Sequence, residues 1–199
     1  MKPFLPALII TILFLVLRHN VNKDRSAPNT SRESILERES RANNTRKQDI
    51  SNLDYIRIPI EQLPFDICKH PDAISAEKNI RDLCSRDILN LTGISNTELK
   101  LEYGPANLDK LTQCDDNFTR LVRALQQWGQ CLYNEDMIPE ATIVLQYSVD
   151  IGSDIRNTYQ LLAAIYADDQ QLLMKLREQA NNLRSLSKDS ILANIETYF

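Results

Sequence analysis

ALQQWGQCLYNEDMIPEATIVLQYSVDIGSD, which spans residues 124–154, holds the end of one apolar stripe, a polar break and a second apolar stripe. Apolar residues recur at steps of three and four, the spacing that places them on one face of an α-helix. Pro139 follows the break and is tolerated in the first turn of a helix. The stretch therefore predicts two helices joined by a short turn, which pack as antiparallel neighbours. The first stripe begins upstream, after an expected N-cap at Asp115 or Asp116, and comprises Phe118, Leu121, Val122, Leu125, Trp128, Gly129 and Leu132.

The rest of the C-terminal sequence continues this pattern with three more predicted helices. Gly152 ends the second helix, Asp168 or Asp169 separates the third from the fourth, and Ser187 or Asp189 precedes the last. Gly is scarce, at 4 residues in the whole chain, and few segments alternate apolar with polar residues. The composition therefore favours an all-α fold over a sandwich or a barrel.

The order of large and small residues in the first two helices resembles the tetratricopeptide repeat, a pair of antiparallel helices that stacks into arrays. The two helices of such a unit cross at the positions that correspond to Gly129 and Ala141. Both residues are small, and a close approach of two helices requires little side-chain volume at the crossing. The residues at the family's spacing are Leu125, Trp128, Gly129, Leu132, Ala141, Leu145 and Ser148. A second set follows about one repeat length (~34 residues) later and consists of Tyr159, Leu162, Ala163 and Tyr166.

The second unit departs from the family's pattern. Lys175 stands where the small residue of its second helix would fall, and Ser153 replaces the proline that usually ends the first unit. The resemblance covers residues 118–183 and implies a short array of antiparallel hairpins within residues 116–199. The alternative is an unrelated helical bundle. Because at least three units are normally needed for an independent core, neighbouring helices must cap such an array.

The resemblance also implies a partner-binding surface on the first helix of each unit. Glutamine, asparagine and tyrosine there suit hydrogen bonding to a protein partner or an extended peptide. The alternative is an ordinary solvated helix face. The implied binding positions do not include the cluster of lysine and asparagine residues with which some family members bind a C-terminal carboxylate. The implied positions are Arg123, Gln126, Gln130, Tyr133, Asn134, Asn157, Gln160 and Asp168.

An apolar segment near the N-terminus, FLPALIITILFLVL, predicts a membrane anchor over residues 1–18. It is short for a spanning helix, which needs ~20 residues, but no small-residue cleavage site follows it, as a secretory signal would require. A cleaved signal is the alternative. Lys/Arg residues are more numerous after the segment than before it, which predicts a single-pass protein with its N-terminus outside and its body on the cytoplasmic side. An exported body is the alternative.

Residues 19–53 are rich in Asn, Ser, Arg and Glu and hold no aromatic residue, which predicts a disordered, flexible linker. Within it, the Glu37–Arg41 spacing in SRESILERESR suits a transient helix as the alternative. Residues 54–115 are expected to form an extended arm followed by capping helices. Ile56, Ile58 and Ile60 alternate with other residues as in a strand, but nearby prolines confine such a strand to an edge or to an arm packed on helices.

Composition argues against several classes of function. Residues 54–199 carry 14 basic and 22 acidic side chains, which is a poor balance for binding nucleic acid. The chain has only 2 histidines, no C-x-x-C pair and no Gly-rich phosphate loop, so we expect no metal, no cofactor and no catalytic residue. An even count of 4 cysteines permits disulfides without requiring them.

The sequence therefore favours a membrane-tethered adaptor or scaffold that binds a protein partner and has no catalytic activity. One alternative is a structural subunit packed permanently against a sister protein in a membrane complex. The other is an enzyme without a recognisable motif.

Overall fold

The computed structural model describes residues 34–199, which contain eight α-helices and no β-strand. The predicted all-α class is confirmed for this range. No helix within it combines the length and the apolar character needed to cross a membrane. The predicted anchor (1–18) and the first part of the predicted linker (19–33) lie outside the described residues. The helices are α1 (34–43), α2 (Pro71–Leu83), α3 (Asn96–Tyr103), α4 (Leu108–Asn134), α5 (Ile138–Asp150), α6 (Arg156–Ile165), α7 (Gln170–Asn181) and α8 (Lys188–Ile195).

The described chain divides into two compact units, of which the first contains α1 and α3. Lys100 on α3 donates to Glu39 Oε1 at 3.1 Å and to Asn43 Oδ1 at 2.9 Å on α1. The hydrogen bond from Lys100 lowers the pKa of Glu39. Residues 34–43, within the stretch expected to be a flexible linker, are therefore helical. Charge pairing stabilises this segment, because its large apolar side chains, Ile35 and Leu36, are exposed.

Helix α4 is the central element of the second unit and packs against α2, α5 and α6. It begins at Leu108, upstream of the start predicted at residue 116. The expectation that Asp115 or Asp116 caps this helix is wrong, because both lie inside it. The Asp115 carboxylate instead accepts a hydrogen bond from the backbone N–H of Leu91 at 3.0 Å.

The predicted close crossing between α4 and α5 is present at Gly129. A Cβ atom added to Gly129 would lie 2.5 Å from Leu145 Cδ2 and 2.6 Å from Leu145 Cγ. Leu145 and Ala141 on α5 are fully buried. The absence of a side chain at Gly129 is therefore what allows Leu145 to pack directly on the backbone of α4.

The arm before α2 is extended without forming a strand, and a short 3₁₀ turn, Ile60–Gln62, interrupts it. The backbone N–H of Ile56 donates to the carbonyl of Ile88 at 2.9 Å. The ring of Phe65 packs on Trp128 with centroids 4.8 Å apart. Trp128 is fully buried, so the arm covers the largest side chain of the core.

Helices α5 and α7 begin where the sequence places helix starts. Pro139 lies in the first turn of α5, and the Asp169 carboxylate caps α7 by accepting from the N–H groups of Gln171 and Leu172. Gln146 on α5 donates to Gln179 on α7 at 3.2 Å. This hydrogen bond stabilises the alignment of α5 against α7.

Candidate interaction groove on helix α4

A polar groove runs beside α4, with a volume of about 430 Å³. Its α4 residues recur at steps of three and four, so they share one side of the helix. The start of α2 forms the opposite wall. Because α2 and α4 pack together through their apolar faces, the polar residues that flank this contact border the groove. We call this feature the α4 groove; its lining is His70, Asp72, Arg123, Gln126, Gln127, Gln130, Cys131, Asn134 and Glu135.

Amide side chains join the groove to α6. Asn157 on α6 donates through Nδ2 to Gln130 Oε1 at 2.8 Å. Gln130 in turn donates through Nε2 to Asn134 Oδ1 at 2.9 Å, one turn further along α4. The three amides form a ladder that fixes the orientation of Gln130 and links the first helices of the two predicted units.

The predicted partner-binding residues divide into three groups in the structure. Arg123, Gln126, Gln130 and Asn134 line the groove, and Asn157 joins it through the ladder. The rest lie outside the groove lining: Tyr133 packs against the apolar core, while Gln160 and Asp168 are exposed on and after α6.

Sequence reasoning missed the part of the lining that does not belong to the repeat-like helices. His70 and Asp72 come from the start of α2, far away in sequence, and no spacing rule connects them with α4. Gln127 and Glu135 could have been found by extending the polar face of α4 by one position in each turn.

The groove offers both hydrogen-bond donors and acceptors. Arg123 is a permanent cation, whereas Asp72 and Glu135 contribute carboxylates. Neutral glutamine and asparagine amides each donate and accept, as the peptide groups of an extended chain do. His70 Nδ1 accepts from the backbone N–H of Asp72 at 3.2 Å, which places the histidine as the N-cap of α2.

One thiol reaches the groove. Cys131 lines it, although the residue is only 7% exposed. Burial raises the pKa of the Cys131 thiol, while the backbone N–H of Ala73 acts in the opposite direction. Among residues 34–199, no three His, Cys, Asp or Glu side chains are arranged to hold a metal ion.

No protein-family model matches the sequence, and comparisons with curated proteins and with solved structures give no match.

Proposed function

We propose that the chain is a membrane-tethered, non-catalytic interaction module that binds an extended segment of a protein partner in the α4 groove. The observation that carries the proposal is the convergence of Arg123, Gln126, Gln130 and Asn134, each expected from sequence to contact a partner, on a single groove. Amide side chains with both donors and acceptors suit the alternating N–H and C=O groups of an extended backbone.

The proposal includes a tetratricopeptide-like arrangement of the helices from α4 to α7. Its support is the close crossing at Gly129 and Ala141, together with the packing of α4 against α6. In a repeat array, the first helices of successive units lie side by side and form the binding surface. On this view α4 and α6 are those first helices, and α2 and α8 cap the array.

The proposal places the body near a bilayer through the apolar segment at residues 4–17. The excess of Lys/Arg after that segment supports a cytoplasmic body. Such a location suits an adaptor, since the tether keeps a bound partner close to the membrane.

The test is a comparative affinity capture of the full-length chain extracted from membranes after mild crosslinking. We expect the wild type to recover a discrete partner, and the Gln126→Ala/Gln130→Ala variant to recover at least tenfold less of it. Gln171→Ala on α7, an exposed position outside the groove, is the matched control and should recover the partner unchanged. Equal recovery by the groove variant and the control would contradict the proposed site.

A permanent structural subunit is the second candidate, and exposed apolar side chains favour it. Ile143 on α5 is 46% exposed, and Leu172 and Met174 on α7 are 38% and 51% exposed. A sister protein covering these helices would bury them. Loss of the partner from an Ile143→Ser/Met174→Ser variant, with normal recovery by the groove variant, would identify this alternative.

A further inference from the structure

The α4 groove carries opposite charges at its two ends. Arg123 is the first lining residue on α4, and Glu135, at the C-cap of the helix, is the last. Both residues are exposed. They are twelve positions apart in the sequence, and a helix rises about 1.5 Å per residue, so the two charges are separated by about 18 Å along the groove.

Contacts between the chain around α2 and α4 place Asp72 at the C-terminal end of the groove. Phe65, in the arm before α2, packs on Trp128 with ring centroids 4.8 Å apart. After α2, the carbonyl of Asp87 accepts a hydrogen bond from Asn117 Nδ2 at 3.0 Å. The chain from the arm through α2 therefore runs antiparallel to α4. The first turn of α2, which contains Asp72, lies beside the C-terminal part of α4.

The charges at both ends are left unpaired by the protein itself. Within the described part of the chain, neither Arg123 nor Glu135 forms an ion pair with another side chain. The Asp72 carboxylate lies 3.8 Å from His70 Nδ1. That nitrogen accepts a hydrogen bond from the Asp72 backbone N–H, so it carries no proton that could neutralise the carboxylate. Lys69, the nearest cation in sequence, is not part of the lining.

The end of α4 strengthens the negative charge. The last carbonyl groups of a helix carry a partial negative charge, which favours a cation nearby. The last turn of α4 contains no basic residue, and its C-cap residue is Glu135. At the same end, Asp72 offsets the partial positive charge at the start of α2. The helix ends therefore do not explain a carboxylate at Glu135, whereas a cation supplied by a bound partner would be stabilised there.

We propose that the α4 groove selects an extended partner segment that carries an acidic side chain and a basic side chain about six residues apart. This inference rests on the proposed function of the groove. The acidic side chain pairs with Arg123, the basic side chain pairs with Glu135 and Asp72, and the backbone between them bonds to the amides of Gln126 and Gln130.

The separation of the two side chains follows from the geometry of an extended chain. Such a chain rises about 3.3 Å per residue, so the distance of about 18 Å corresponds to five or six residues. Successive side chains of an extended segment point to opposite faces, and two that face the groove together are an even number of residues apart. A separation of about six residues meets both conditions.

Bead-bound peptide libraries with blocked termini test this selection on the purified full-length protein in detergent. One library fixes a glutamate and a lysine six positions apart, a second fixes them at adjacent positions, and a third contains uncharged residues alone. All other positions are random mixtures of uncharged residues, so the first two libraries differ in spacing and not in charge. We expect the spaced library to retain about fivefold more wild-type protein than the adjacent one, the effect of two exposed ion pairs.

Reversal of one charge in the groove should change which library is preferred. Arg123→Glu makes both ends acidic, so this variant should prefer a library with two lysines six positions apart. Glu135→Lys should lose the preference for the spaced glutamate–lysine library. Lys175→Glu and Glu178→Lys, at exposed positions on α7 outside the groove, change the net charge equally and should keep the wild-type preference.

Wild-type retention on the spaced library that does not exceed retention on the adjacent library would overturn the charge selection. The groove would still be a binding site in that case if Gln126→Ala/Gln130→Ala abolished retention on every library. Retention that persists in this variant, or no retention on any library, would contradict the proposed function as well. A change of preference in Lys175→Glu equal to that in Arg123→Glu would assign the effect to net charge and would also overturn the inference.

Discussion

Glu77 is a carboxylate on the buried side of α2, with only 4% of its surface exposed. Its Oε2 atom accepts from the backbone N–H of Asp66 at 3.0 Å, and its Oε1 atom is buried without a hydrogen-bond partner. Asp66 adopts a positive φ of 64° and pairs with Arg81 at 2.6 Å. Glu77 therefore stabilises an unusual backbone conformation at the tip of the arm, at the cost of burying its own charge.

The stability of the protein should depend on the protonation of Glu77. Burial raises the pKa of Glu77 above its ordinary value of 4.5, against the opposing effect of the Asp66 N–H. A pKa that is higher in the folded than in the unfolded chain contributes stability below the unfolded pKa. That stability is lost as the pH rises through the folded pKa.

Replacing Glu77 by glutamine should remove this loss, because the amide oxygen still accepts from Asp66 and no charge is buried. We expect the free energy of unfolding of Glu77→Gln, relative to wild type, to rise between pH 4.5 and neutrality. Urea unfolding at a series of pH values measures it. Glu178→Gln, at an exposed position on α7, is the control. Parallel profiles for Glu77→Gln and wild type would contradict the assignment.

At the scale of elements, the α4–α5 crossing depends on the pair Gly129 and Leu145. Gly129→Ala should destabilise the fold by about 1–3 kcal/mol, because the new methyl group overlaps Leu145. In a Leu145→Ala background the same change should become favourable by up to about 1 kcal/mol, since alanine is the better helix former. A double-mutant cycle from urea unfolding measures the coupling. Additive effects would mean that the two helices do not meet there.

The fluorescence of Trp128, the only tryptophan in the chain, reports on the contact between the arm and α4. Phe65 lies on its ring, and Arg81 lies 4.4 Å from the centre of the Phe65 ring. Phe65→Ala should expose Trp128, shift its emission to longer wavelength and cost about 1–3 kcal/mol. Fluorescence and acrylamide quenching measure the exposure.

Phe199→Ala is the matched control for that experiment, because Arg177 lies 5.2 Å from the centre of the Phe199 ring. Loss of the Phe199 ring should leave the emission wavelength of Trp128 unchanged. If Phe65→Ala also left it unchanged, the arm would not cover Trp128 in solution.

The starts of helices were predicted correctly from the sequence where the deciding residue acts within its own helix. Pro139 and Asp169 start helices because proline fits a first turn and a carboxylate accepts from first-turn N–H groups. Asp115 failed as a cap because its partner, Leu91, lies on a distant loop. The lining of the groove was likewise predictable only for residues that lie on one helix. The α4 face follows from periodicity, but His70 and Asp72 reach it only through tertiary packing.

At the scale of the whole molecule, the proposed topology can be tested with an introduced thiol. The Cys68 thiol is buried and would react slowly with a labelling reagent, whereas Ser75 on α2 is exposed. In intact cells, Ser75→Cys should react with a membrane-impermeant maleimide only after permeabilisation, because the proposed body faces the cytoplasm. The unmodified chain measures labelling of the native thiols. Labelling of Ser75→Cys before permeabilisation would place the body outside.

The central claim is that the α4 groove holds a partner, and site-specific photocrosslinking tests it most directly. A benzophenone amino acid would replace Gln127, an exposed residue of the groove, or Gln171, an exposed residue outside it. After irradiation of living cells, the account predicts one discrete protein adduct at Gln127 that is absent at Gln171. Adducts at Gln171 alone, or none at Gln127, would contradict it.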